Sequence, residues 1–265
     1  LSDFTDMADL GVTIASASFA HRLYHYVLAF SRWEYACVVE GGESFEALSG
    51  GLQNALWQAG GCPREHRTDS LSAAFKNLQD EQDFTTRYAA LLEHYGMIGT
   101  RNNRGQGHEN GSVESSHRYL KEAVDQALML RGHRDFDDRA AYDAFLREVV
   151  MRRNRRNAAA FRIERERLVD LPLRRTTDFV EEEARVTHCS TFTVRGILYS
   201  APSRLIGHRL KVRVYADRLD CYLGGALVHS VPRGSRANNN AHALDYRHFI
   251  EGLKRKPQAF KGLAF

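Results

Sequence analysis

The sequence predicts an α/β fold, a mixed sheet flanked by helices over residues 1–150, followed by a small all-β barrel over residues 179–233. Three observations predict it. Runs rich in aromatic and β-branched residues alternate with stretches of helical period up to residue 150. From about Phe179 the apolar residues recur every second position instead. Between the two lies an arginine-dominated stretch, MRRNRRNAAAFRIERER, which opens a basic helical linker over 151–178.

The first half reads element by element. A strand begins at Asp3-Phe4. Leu23 to Phe30 and Trp33 to Val39 are separated only by Ser31-Arg32 and predict an antiparallel hairpin. A helix from about Ser44 carries Phe45, Leu48, Leu52 and Leu56 on one face, and Gly60-Gly61 stops it. Cys62-Pro63 leads into a short segment ending at Asp69. Phe84, Tyr88, Leu91 and Tyr95 mark the next helix, closed by Gly96, with a short strand at Met97 to Thr100. RNNRGQGHENG, residues 101–111, has no apolar side chain and predicts a mobile loop. The helix after it starts near Ser112 and presents Val113, Leu120, Val124 and Leu128; another starts near Asp137 with Tyr142, Phe145, Leu146 and Val149.

In the second half, Leu210, Val212 and Val214 alternate with polar residues, as do Leu219, Cys221 and Leu223. Ala216-Asp217 and Gly224-Gly225 stand where tight turns are needed. About five such strands would close into a small barrel. Residues 234–265 form a basic tail with a helical stretch around Tyr246 to Leu253.

Composition narrows the class. The chain has 265 residues, 43% of them hydrophobic and 26% charged, enough for a real core. No apolar run approaches the roughly 18 residues that span a bilayer, so no membrane role is expected. A net charge of +4 hints at an anionic partner. Cys37, Cys62, Cys189 and Cys221 lack metal-ligand spacing and fit a reducing cytoplasm as small buried hydrophobes. The chain opens at Leu1, which reads as a fragment lacking its N-terminal region.

Three acids stand where such a fold could bring them together. Asp3 begins the first strand, Asp69 ends PREHRTD where a strand would leave the sheet, and Glu114 follows the polar loop in NGSVESSHRYLK. A carboxylate cluster of this kind suits phosphodiester cleavage, in which two Mg²⁺ ions about 3.5–4 Å apart activate the attacking oxygen and stabilise the leaving one. Each acid also has a bland reading. Asp69 could cap the segment after it, and Glu114 could be an ordinary first-turn acid. Asp6 and Asp9 compete with Asp3; of the two, Asp9 has the matching strand parity.

The stretches LSDFTDMADLGVTI, GGCPREHRTD, NGSVESSHRYLK and LYSAPSRLIGHRLKVRVYADRLDCYLGG resemble the RNase H-like retroviral-integrase superfamily, and within it the IstA-type transposases, over nearly the whole chain. The resemblance implies an RNase H-like mixed sheet and a DDE transposase in which Asp3, Asp69 and Glu114 are the catalytic metal ligands. It implies two Mg²⁺ (or Mn²⁺) ions per active site with DNA bound, 3′-end cleavage and strand transfer. It further implies a homo-oligomer on element ends and target DNA, an AAA+ ATPase partner (IstB), and a bacterial, nucleoid-associated location. Two departures stand out: Ser70 follows the second aspartate where many relatives have Asn, and most of the first strand's lead-in is absent.

Helical spacing places Arg118 and Lys121 on the face of Glu114, as a basic stripe for a phosphate backbone or as a surface ion-pair ladder. His117 sits one step off that face and receives no role. Arg101, Arg104 and His108 mark the expected flap over substrate. Arg152, Arg153, Arg155 and Arg156, with the arginines that follow, predict a broad cationic DNA-binding surface, partly neutralised by Glu164 and Glu166. The rivals are a structure-selective nuclease of the same fold and a non-catalytic DNA-binding scaffold.

Overall fold

The computed structural model describes residues 1–39, 43–68, 78–101, 107–234 and 242–249; the side chains of 78–85, 101 and 107–114 stand outside that description. Two units divide the chain, Leu1–Asp178 and Phe179–Phe265.

The first unit is built on a five-stranded sheet. Its strands are β1 (Ser2–Asp6), β4 (Arg22–Val27), β5 (Glu34–Val39), β6 (Glu65–Thr68) and β7 (Ile98–Arg101), in the order β5-β4-β1-β6-β7. β4 is antiparallel to both β1 and β5, whereas β1, β6 and β7 run parallel. The sheet is therefore mixed, as expected. Two-residue strands β2 (Thr13–Ile14), β3 (Ala17–Ser18) and β8 (Asp135–Phe136) make a small second sheet that the sequence did not announce.

The hairpin and the first helix form where the sequence puts them. β4 pairs with β5 from Arg22↔Val39 to Val27↔Glu34. Helix α1 (Phe45–Ala59) begins at Ser44, whose side chain accepts from the Ala47 N–H, and ends at Gly60 with a left-handed φ of 79°. Its middle holds Gly50-Gly51, a costly pair for a helix interior. A close approach explains the second of them, since a Cβ on Gly51 would stand 2.7 Å from Cγ of the buried Tyr24 ring. Gly51→Ala is expected to destabilise this unit by about 1–3 kcal/mol, because the ring cannot retreat through a filled core. Thermal unfolding checks it; an unchanged midpoint would show that Tyr24 moves freely.

The helices that follow are α2 (Leu78–His94), α3 (Gly107–Arg131), α4 (Arg139–Arg156) and α5 (Ala158–Arg165). One correction concerns the polar loop expected over 101–111. β7 continues through Arg101 and α3 already begins at Gly107, so only residues 102–106 separate them, and those lie outside the described set. Glu114 is thus the eighth residue of α3 rather than a first-turn acid. α4, capped by Asp138 on the Ala141 N–H, runs unbroken through residue 150, so the basic stretch after it belongs to the first unit.

The two sheet faces bury separate cores. Phe4, Tyr24 and Tyr26 pack with α1 residues Leu48, Leu52 and Leu56. Met7, Leu23 and Ala36 pack on the other face with Leu120, Val124 and Leu128 of α3 and Tyr142, Leu146 and Val149 of α4. This strand alternation decides where Asp3 points.

The second unit contains β9 (Val180–Arg185), β10 (Thr191–Val194), β11 (Ile197–Ser200), β12 (Arg209–Val214), β13 (Arg218–Leu223), β14 (Ala226–Pro232) and β15 (His242–Ala243). They form two sheets, β14-β13-β12-β9 and β10-β11-β15, and among the described residues no closed barrel. The unit is all-β, as expected, and built on this pair of sheets. Its period-two strands are as expected: Leu210, Val212 and Val214 are buried with Leu219 and Cys221. Gly224 and Gly225 turn between β13 and β14 with φ of 59° and 84°, the double positive φ of a tight hairpin turn. Residues 247–249 are helical, and the rest of the helical stretch expected to Leu253 falls on residues outside the described set.

Candidate active site

Asp3 occupies the central strand. Its register partner across β1 and β4 is His25, itself opposite Ala36 on β5. Ser2 and Phe4 turn toward the α1 core, so Asp3 turns toward the face that α3 and α4 cover. Its Oδ1 accepts the Phe4 N–H at 2.8 Å. On the other side β1 meets β6, with Ser2 opposite Thr68. Asp69 is the next residue in the sequence and lies outside the described residues, as does Arg104. Arg101 ends β7 and Glu114 stands within α3, but their side chains are outside the description.

The competitors of Asp3 have other employment. Asp6 accepts the Ala8 N–H at 2.8 Å and lies 3.7 Å from Arg22. Asp9 sits in a 3-10 turn, Ala8–Leu10, where strand parity no longer applies, and pairs with Lys121 at 2.5 Å. Lys121 also donates to the Asp6 carbonyl at 3.0 Å, so it straps α3 to the end of β1. Arg118 is exposed; it faces Glu122 at 3.8 Å and its guanidinium lies 5.1 Å from the Tyr119 ring. Both basic residues of the expected stripe therefore take part in ion pairs, one at the surface and one holding the helix down.

Sequence reasoning missed the residue of α3 that turns inward. The His117 ring lies 5.1 Å from that of His25, tilted by 45°. A signal existed: position 117 fills the gap in the stripe of Val113, Leu120, Val124 and Leu128. Burial, helped by His25, lowers the His117 pKa to about 4, so its ring is neutral at ordinary pH.

His25 belongs to a buried polar group that links three elements. Its Nε2 stands 3.1 Å from Oε2 of Glu34, and neither side chain is more than 2% exposed. Arg153 of α4 donates to the same carboxylate through Nε and Nη2, and through Nη1 to the Tyr119 carbonyl of α3 at 3.1 Å. Burial pushes the Glu34 carboxyl upward, yet the bonds from His25 and Arg153 outweigh it and hold the group below the usual carboxylate range.

Two of the arginines expected in the cationic surface have acidic partners within the chain. Arg153 is committed to Glu34, and Arg152 pairs with Glu148 at 2.5 Å. Arg155 and Arg156 are exposed and remain available to an anionic partner. Glu164, expected to offset part of the arginine charge, also has a backbone role. It accepts the backbone N–H groups of Phe30 and Ser31, at 3.3 and 2.8 Å, in the β4–β5 turn. Nearby, Phe161 stacks on Trp33 at 5.2 Å, and Asn154 exchanges two hydrogen bonds with the Glu34 backbone.

Asp3 offers the hard oxygen donors that Mg²⁺ prefers. Among the described residues no group of three or more His, Cys, Asp or Glu stands ready to hold an ion, and two of the three expected ligand side chains fall outside that set. None of the four cysteines is in a disulfide, and burial raises Cys62 to about 11 and Cys221 to about 12, as inert core sulfurs; of the four, Cys189 is the exposed one. Among the described residues no helix is long and apolar enough to cross a membrane.

In the second unit, Arg209, Lys211 and Arg213 point outward from β12 beside Glu181 and Glu183 of β9. Arg213 lies 4.6 Å from both the Phe179 and Tyr222 rings. Arg209, Lys211, Arg213 and Glu183 line a cleft of about 370 Å³ with Tyr222 and Gly224-Gly225. The glutamates balance much of its charge.

Residues 171–239 match the Mu transposase C-terminal domain family. Over its full length the chain is 51% identical to an uncharacterized protein of Sinorhizobium fredii, y4jA/y4nE/y4sE, covering 53% of it. It is 25% identical to the transposase for insertion sequences IS1326/IS1353 of Pseudomonas aeruginosa, over 79% of the chain and 44% of that protein. A transposase of Aminobacter aminovorans is also 25% identical, over 97% of the chain and 51% of its own length. The chain spans about half the length of the curated relatives it matches. A chain of the simian T-cell lymphotropic virus intasome in complex with PP2A regulatory subunit B56 gamma aligns with a TM-score of 0.44 and 14% identity, over 87% of this chain and 75% of that one. The sequence likenesses are to transposases and to a transposase C-terminal domain.

Proposed function

We propose that this chain is the catalytic and C-terminal part of an IstA-type DDE transposase with an RNase H-like core, in which Asp3, Asp69 and Glu114 hold two Mg²⁺ or Mn²⁺ ions on DNA. The observation that carries the reading is the register at the centre of the sheet. β1 and β6 run parallel with Ser2 opposite Thr68, so the segments leading to Asp3 and to Asp69 run side by side. Support on the third side comes from α3, which carries Glu114 three residues before His117, the neighbour of Asp3's register partner.

The bound ions would polarise the scissile phosphate and lower the pKa of the attacking hydroxyl group. The residues of the chain would do the rest. Asp3 and Asp69 would be held rigidly at strand ends and Glu114 on a helix strapped to β1 through Lys121. Arg118, Arg155 and Arg156, with Arg101 and Arg104, would take phosphates of the DNA backbone, a binding that is steeply salt-sensitive. Element-end cleavage would come first and attack of the freed 3′ hydroxyl on target DNA second. A homo-oligomer on two DNA ends and an AAA+ ATPase partner (IstB) complete the proposal.

A joining assay tests it. With a labelled element end and a plasmid target, Mg²⁺ is expected to yield both nicked and joined product, and EDTA neither. Nicking without joining would favour the structure-selective nuclease, and joining in EDTA would exclude metal-dependent chemistry.

A further inference from the structure

Resting on that reading, we propose that His25 and His117 are positioning residues of the carboxylate site, a ring pair that sets the spacing between the strand carrying Asp3 and the helix carrying Glu114. The two rings meet at 5.1 Å across the contact between β4 and α3. Nδ1 of His25 and Nε2 of His117 are both buried with no hydrogen-bond partner among the described residues. An orphaned buried nitrogen destabilises a core, and two leucines would fill similar space without that cost. A core built only for stability has no use for the pair.

The surrounding bonds fix the His25 ring on its strand and, separately, the backbone of the helix that carries His117. His25 is tied through Nε2 to Glu34, the pattern in which a carboxylate orients an imidazole. The guanidinium that completes Glu34 also grips α3 at the Tyr119 carbonyl, two residues beyond His117. Strand, histidine pair and helix are thereby joined by one set of contacts that ends beside Asp3. Neither histidine needs to touch a metal or DNA to act; both work by placing other groups.

The test uses the chain with Mn²⁺ as the probe, followed by the electron paramagnetic resonance signal of the free ion, and thermal unfolding in parallel. His117→Leu is expected to melt at or above the native midpoint and to weaken Mn²⁺ binding about tenfold, the size of effect seen when outer groups around a metal site are removed. His117→Gln, which keeps a polar group at the position, supplies the same measurement should the leucine variant not fold. Asp3→Asn is the reference. If Asp3→Asn loses Mn²⁺ while a folded His117 variant binds like the native chain, the positioning role is overturned and the carboxylate site stands. If Asp3→Asn binds Mn²⁺ like the native chain, the carboxylate reading itself has failed.

Discussion

Conversion of Asp3 to asparagine is expected to lower Mg²⁺-dependent strand cleavage by about a hundredfold or more, with the melting midpoint held close to the native value. The two halves of this expectation have separate causes. Losing one hard anionic ligand removes several kcal/mol of charge stabilisation from the transition state, and each 1.4 kcal/mol is about tenfold in rate. Stability should survive because the amide is nearly isosteric and its oxygen can still accept the Phe4 N–H. If the proposed site holds three carboxylates, removing one of their charges would also relieve repulsion in the metal-free protein. Asp69→Asn and Glu114→Gln should behave alike, and Asp6→Asn should not, since Asp6 caps Ala8 instead. Plasmid nicking and thermal unfolding on the same preparations measure both quantities. Cleavage that persists in Asp3→Asn would remove this residue from the site; loss in Asp6→Asn alone would transfer the role to it.

What the sequence made legible was local. The β4–β5 hairpin, the Ser44 cap and Gly60 stop of α1, and the period-two strands β12 and β13 each follow from a few neighbouring residues. The place of Asp3 in β1 follows from the strand start read at Asp3-Phe4. What escaped depended on partners far along the chain. Glu34 resembles any acid at a strand start, and Arg153 any member of an arginine run, yet they meet across 119 positions. His25 and His117 came together only through the docking of α3 on the sheet. The helix start was misjudged because Gly107, His108 and Asn110 are weak helix signals, and strand count alone does not fix how the sheets of the second unit join.

Glu34→Ala is expected to be the most damaging single change to the stability of the first unit, about 3–5 kcal/mol, because it leaves His25 and Arg153 facing a void without their anion. Arg153 retains some solvent contact, which favours the lower end of that range. For a unit of this size each kcal/mol shifts the midpoint by roughly 2–4 °C, so a fall of about 6–20 °C follows. Glu34→Gln keeps an acceptor for one donor and should lose less. The native chain also titrates in a defined direction. Because the folded carboxyl is held below its ordinary value, its stabilisation is complete above the ordinary carboxylate range and fades as pH falls through the folded value. Glu34→Gln cannot titrate there, so its midpoint deficit against the native chain should shrink as the solution is acidified. A deficit that stays constant from neutral to acid pH would mean that the ionised carboxylate is not what holds Arg153, His25 and the α3 backbone together.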